Sequence, residues 1–251
     1  DWGHTEIAKA LVTAGANLDV QSIKGFTALI CAASKSHTEV TKALVGAGAN
    51  LDVQNEYGDT ALICAASWGH TEIAVAVVSA GANLDVQNNK RNTALILAVS
   101  WGQTDIVKAL VRAGANLDKQ NEYGDTALIL AASRGHTEIA VAVVSAGANL
   151  DLQNNKRNTA LILAVSWGLT EIAVAVVSAG ANLDLQNKDS VTALIIAASK
   201  GHTEISKALV SAGANLDVQS IKGFTALILA ASKGHTEVTK ALVGAGANLD
   251  V

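Results

Sequence analysis

Residues Asn55–Gln87 read NEYGDTALICAASWGHTEIAVAVVSAGANLDVQ, and the rest of the chain is a series of near copies of this stretch. Its Thr60-Ala61-Leu62 recurs at Thr27, Thr93, Thr126, Thr159, Thr192 and Thr225, always thirty-three residues apart. A fixed period of this size marks a stacked-repeat architecture, in which each unit buries its apolar face only against its neighbours.

Inside the stretch, Thr60 is placed to cap a short helix reading ALICAASW. Leu62, Ala65 and Ala66 fall on one stripe of that helix, and Gly69 supplies the left-handed residue that ends it. Thr71 opens a second helix with Glu72 in its first turn, where the helix dipole favours an acid. The spacing predicts that its buried stripe is Ile73, Ala76, Val77 and Ala80, with Gly81 as the stop. The Asn, Asp and Gly that follow read as a turn or hairpin finger. Helices this short are marginal alone. The fold class is therefore all-α, an array of antiparallel helix pairs joined by fingers.

The formal net charge is only -4, so no broad cationic field recruits nucleic acid or acidic membranes. No apolar run reaches the roughly 18 residues that a bilayer span requires, and no signal peptide is visible at the start. The chain begins at Asp1 and contains no Met, so it reads as a piece of a longer product. Cys31 and Cys64 share one repeat position, which Leu97, Leu130, Leu163, Ile196 and Leu229 fill elsewhere. The thiols are thus expected to stand in for a core aliphatic. Equivalent helices in a stack lie roughly 8–10 Å apart, beyond the roughly 4.4–6.8 Å Cα spacing of a disulfide. Free thiols lean the reading toward an intracellular setting.

Gly58-Asp59-Thr60-Ala61-Leu62, Ala65-Ala66, Gly69-His70, Glu72-Ile73 and Gly81-Ala82-Asn83 together resemble the ankyrin repeat family. The resemblance covers the whole chain as a single array: a partial repeat at 1–21, full repeats at 22–54, 55–87, 88–120, 121–153, 154–186 and 187–219, and a last repeat at 220–251. It implies an ankyrin-type solenoid of stacked helix pairs with β-hairpin fingers, whose finger tips and first helices line a concave groove for protein partners.

The pattern departs from the family in several places. The usual Thr-Pro-Leu-His appears as Thr60-Ala61-Leu62-Ile63, and Pro is absent throughout. The family's His links neighbouring fingers, so with Ile63 in its place apolar packing is expected to substitute. The two polar residues after Gly81-Ala82 are exchanged, giving Asn83-Leu84-Asp85. Arg91, Arg157 and Ser190 replace Gly58, and Ser36 replaces Gly69. If those sites need positive φ, each replacement costs about 1 kcal/mol.

No nucleophile elbow, phosphate-binding loop or zinc motif is present. His4, His37, His70, His136, His202 and His235 all occupy one repeat position, where a turn or capping hydrogen bond is the expected role. They form a row instead of converging on one ion, and Gln103 and Leu169 interrupt it. Asp52, Asp85, Asp118, Asp151, Asp184, Asp217 and Asp250 make a similar ladder, read as turn stabilisers. The expectation is no enzyme, no cofactor and no metal.

The aromatic residues concentrate where the family meets its partners. Trp2, Trp68, Trp101 and Trp167 share the end of the first helix, while Tyr57, Tyr123, Phe26 and Phe224 lie at finger tips. Lys35, Arg134, Lys200 and Lys233 take the Trp position in other copies, which marks a surface site; Trp, Tyr and Arg are also the residues enriched at interface hot spots. Tryptophans packing on one another would be the structural alternative. Finger charges alternate: Lys24, then Glu56 and Asp59, then Lys90 and Arg91, then Glu122 and Asp125, then Lys156 and Arg157. Lys188, Asp189, Lys200, Lys222 and Lys233 make the C-terminal end mainly basic. Alternation suits a complementary protein partner or a self-satisfying surface, and is a poor footprint for nucleic acid.

The reading is a non-catalytic protein–protein interaction module or scaffold. Its alternative is a structural or self-associating segment of a longer array, or a designed repeat scaffold without a natural partner. The near identity of Ser22–Val53 with Ser220–Val251 fits block duplication or design equally.

Overall fold

The computed structural model describes residues 5–250. Trp2 and His4 of the sequence reading lie outside the described residues. The chain divides into two compact units, Asp1–Glu122 and Tyr123–Val251. The first holds α1 (Thr5–Thr13), α2 (Ala28–Ser34), α3 (Thr38–Gly46), α4 (Ala61–Trp68), α5 (Thr71–Ser79), α6 (Ala94–Ser100) and α7 (Thr104–Arg112). The second holds α8 (Ala127–Arg134), α9 (Thr137–Ser145), α10 (Ala160–Ser166), α11 (Thr170–Ser178), α12 (Ala193–Lys200), α13 (Thr203–Ser211), α14 (Ala226–Ser232) and α15 (Thr236–Gly244). Within each unit first helices stack on first helices, second helices on second helices, and each pair on itself.

The local signals act as their chemistry demands. Thr60 sits in extended backbone and its hydroxyl accepts the Ile63 N–H at 3.2 Å, so one of the orphan donors of α4 is satisfied. The same cap opens α2, α6, α8, α10, α12 and α14. Gly69 ends α4 at φ 74°, and Gly81 follows α5 at φ 88°. There the N–H groups of Gly81 and Ala82 reach the carbonyls of Val78 and Val77, which closes the second helix with a Schellman pair of bonds.

Burial is wider on the first helix than one stripe. Every residue from Ala61 to Ala66 is buried, because α4 is flanked by α2, α5 and α6. The many alanines let these neighbours close in, while Leu62, Ile63 and Ile73 carry most of the apolar burial, about 1.5–3 kcal/mol each. On α5 the buried residues are Ile73, Ala74 and Val77. The predicted Ala80 is exposed and Ala76 only half-buried, so the stripe is rotated from the expected one.

The fingers are turns and not hairpins of regular strand: no strand occurs among the described residues. Each is closed by one backbone bond across five residues, as from Asn55 N–H to the Asp59 carbonyl at 3.1 Å. One further backbone bond joins it to the next finger, as from Asn89 N–H to the Tyr57 carbonyl at 3.0 Å. A single rung per neighbour is too short a ladder to make a sheet.

Polar links between repeats survive the loss of the family's His, contrary to the expectation of apolar packing alone. The Gln54 amide donates to the Gly58 carbonyl of its own finger and to the Gln87 carbonyl one repeat on. Gln21, Gln87 and Gln153 repeat the pattern. The exchanged Asn and Asp divide their labour. Asn83 accepts the Asp85 N–H and holds the local turn, while the Asp52 carboxylate accepts the Asn83 N–H from the following repeat at 2.9 Å. The Asp ladder therefore ties repeats together as well as shaping turns.

Candidate functional site

The caps and stops just described fix where the finger tips and first-helix ends face, and they leave the large aromatic side chains in solvent. In the first unit Trp68 is 68% exposed at the end of α4, and Trp101 is 62% exposed just past α6. Tyr57 is 54% exposed, and the half-buried Phe26 meets it edge to face with ring centroids 6.5 Å apart. That pair is partly structural. Lys24 reaches Glu56 at 3.3 Å, so one step of the alternating charge pattern is satisfied within the unit. Asp59 accepts the Asn88 amide at 2.8 Å; its burial pushes its carboxyl up, while that bond and the nearby Lys90 pull it back. Lys90 and Arg91 stay exposed at the next finger. Glu122 is exposed at the finger after it.

In the second unit Tyr123 is exposed and Asp125 repeats the Asp59 arrangement, accepting from Asn154 at 2.8 Å, with its carboxyl raised by burial. Lys156 and Arg157 are exposed at the next finger. Trp167 is 67% exposed and borders a shallow cleft with Arg134 and Leu169. Lys200, at the same repeat position as Trp167, folds back so that its ammonium donates to the Ser166 carbonyl at 2.7 Å. Phe224 is 41% exposed.

Two sequence expectations fail here for physical reasons. Cys31 is exposed and not a core residue, whereas Cys64 is buried. The helix pairing with α2 on one side is α4, and only α1, a second helix, precedes α2 among the described residues. Both thiols are free, and burial pushes the Cys64 thiol up to about 11. The histidines do not cap: none of His37, His70, His136, His202 and His235 makes a side-chain bond at its helix start. Their position lies instead against the turn glycine of the preceding repeat. A Cβ on Gly201 would stand 2.6 Å from the His235 ring, and one on Gly69 would stand 2.5 Å from the Gln103 amide. Leu169 likewise faces Gly135, so the position asks for a flat or flexible side chain of any polarity. His202 titrates below its usual range, chiefly through burial and then through Lys200 and His235. Among the described residues no three of His, Cys, Asp or Glu are placed to hold a metal ion.

A further cleft, of about 440 Å³, was not read from the sequence. It lies in the second unit between the fingers at 187–191 and 220–224, over α12 and α14. Val191, Ile196, Ile221, Phe224 and Leu229 give it apolar walls, and Asp189, Lys200 and Lys222 border it. The signal was Val191, which stands where other copies have Asp59, Asn92, Asp125 and Asn158.

The sequence model of the family described as "Ankyrin repeats (3 copies)" matches residues 1–88, 47–121, 76–154, 95–187 and 161–251. The ankyrin repeat domain of Bcl-3, described as a unique member of the IkappaB protein family, superposes with a TM-score of 0.76 at 26% identity, covering 88% of this chain and 100% of that one. An ankyrin repeat domain from Acinetobacter baumannii superposes with a TM-score of 0.71 at 33% identity, covering 74% and 98% respectively. No curated protein matches the chain.

Proposed function

Because the chain belongs to the ankyrin repeat family, whose repeats in general mediate protein–protein interaction without catalysis, we propose that it is a recognition module. Its finger tips and first-helix ends meet a protein or peptide partner. The observation that carries this reading is the exposure of Trp68, Trp101 and Trp167 at one repeat position. Leaving an indole in water forfeits the apolar burial it could have had, and such residues recur at the centres of interfaces. Around them the reading places Phe26, Glu56, Tyr57, Asp59, Lys90, Arg91, Glu122, Tyr123, Asp125, Arg134, Lys156, Arg157, Lys200 and Phe224. The repeats over 1–251 are taken as one array. No helix among the described residues is long and apolar enough to cross a membrane.

The test is capture of partners by wild type and by a Trp68→Ala, Trp101→Ala double variant side by side. The expected result is at least about a tenfold loss of binding with an unchanged helical signal and melting temperature. Equal loss of stability and binding assigns the indoles to packing. One observation favours a second reading, self-association. Ile7 and Leu11, the counterparts of Ile73 and Val77, are 57% and 55% exposed on α1. Light scattering over a concentration range decides it, and a strictly monomeric chain removes it.

A further inference from the structure

We propose that the cleft between the fingers at 187–191 and 220–224 is an anchor site for an acidic peptide segment bearing one bulky apolar side chain. This rests on the recognition reading and names the chemistry of the partner at one place on that surface.

The cleft exists because a polar clamp is missing. Between the fingers that begin at Asn55 and Asn88, Asp59 accepts the Asn88 amide and fills the space at the finger base. Asp125 and Asn154 do the same. At the equivalent step the pair is Val191 and Ser220, which cannot make that bond. Apolar walls then open onto solvent, with Ile221 73% exposed at the rim. The resulting volume, about 440 Å³, falls within the roughly 300–1,000 Å³ of ligand-binding clefts.

The backbone around it is already engaged. Ile221 N–H donates to the Asp189 carbonyl, and Gly223 N–H to the Ser220 carbonyl. An occupant is therefore recognised by its side chains and not by adding a strand to the finger. The charge at the rim selects the rest. The Lys200 ammonium rests on the Ser166 carbonyl, and that of Lys233 on the hydroxyl of Ser199, a residue that lines the cleft. Both partners are neutral groups. Among the described residues no carboxylate pairs with Lys200, Lys222 or Lys233, whereas Lys24 in the first unit is paired with Glu56. Lys200 and Lys222 at the rim, with Lys233 held on the lining Ser199, outnumber the one lining carboxylate of Asp189 and favour an anionic segment.

The test uses the full chain and three fluorescent synthetic peptides: one Phe flanked by Glu, the same with Lys for Glu, and the same with Ala for Phe. Anisotropy titration is expected to show the first binding at least about tenfold more tightly than the others. Lys222→Glu, and separately Ile221→Ala with Phe224→Ala, are expected to lose about tenfold each, while Ser79→Ala, an exposed position at the end of α5, leaves this affinity unchanged. These side chains are exposed, and circular dichroism verifies the fold of each variant. Equal binding of all three peptides, no binding of any, or affinity indifferent to the cleft variants overturns the proposal. Loss with Trp68→Ala but not with the cleft variants sinks the cleft and leaves the recognition surface standing. Partner capture indifferent to the tryptophans, with peptide binding still sensitive to the cleft, sinks only the tryptophan surface.

Discussion

The same five residues, Ser-Ile-Lys-Gly-Phe, form the fingers at 22–26 and at 220–224, and the two copies live differently. The first has a finger after it. Phe26 lies edge-on to Tyr57, Lys24 reaches Glu56, and Ile23 is fully exposed. The second has a finger before it. Ile221 N–H is tied back to Asp189, Lys222 finds no carboxylate among the described residues, and Phe224 lines an open cleft. Identical sequence, closed by the same turn, yields an internal contact in one place and a vacant surface in the other. In a stack the neighbour decides what a side chain does.

The largest test of this contrast lies beneath the fingers. Leu29 is fully buried between helices, while its twin Leu227 is only half-buried. Leu29→Ala is expected to cost about 3 kcal/mol in urea unfolding, and Leu227→Ala about half of that. Equal costs would mean that the neighbour matters little. Next in size, a double-mutant cycle between Phe26 and Tyr57 is expected to give a coupling of about 1 kcal/mol. Phe224→Ala should leave stability nearly unchanged.

The twins differ at only two sites, and one of them is a backbone test. Ser36 holds φ 62° where Gly234 holds φ 73°. Ser36→Gly is expected to raise stability by about 1 kcal/mol and Gly234→Ser to lower it by a similar amount, seen as opposite shifts in the urea midpoint. No atom would crowd a Cβ at Gly234, so the effect there is conformational alone. Smallest of all, Lys24→Ala removes an exposed pair worth about 0.5 kcal/mol or less, lost in high salt, and Lys222→Ala should change nothing measurable in the free chain.

Much of this architecture was legible because its signals are local. Thr60 as a cap, Gly69 and Gly81 as stops, and the repeat period each depend on a few adjacent residues. The positive φ at Ser36, Arg91, Arg157 and Ser190 followed from alignment with glycines in sister copies. What escaped reading depends on the next repeat. Cys31 shares its repeat position with the buried Cys64 but differs in neighbours. The expected role of His202 and His235 lies in their own turn, yet they lie on the preceding one. Exposure of Trp68 could be inferred from Lys and Arg at its position. The signal of the cleft is spread over two copies, with Val191 and Ser220 standing where sister copies have a clamping pair such as Asp59 and Asn88, and its apolar Ile196 and Leu229 look like core in any one copy.

The Gln54-type bonds carry a consequence for how such a chain changes length. The Gln21, Gln54, Gln87 and Gln153 amides each hold their own finger and the carbonyl of the Gln thirty-three residues on, so these joints are built from the same atoms. Recombination that removes or adds a whole period rejoins one such Gln to another and restores the joint. A gain or loss of any other size breaks it at once. Copies can therefore be gained, lost or shuffled as complete cassettes, which bring their finger residues with them, so that the surface is re-dealt while the stack beneath is left intact.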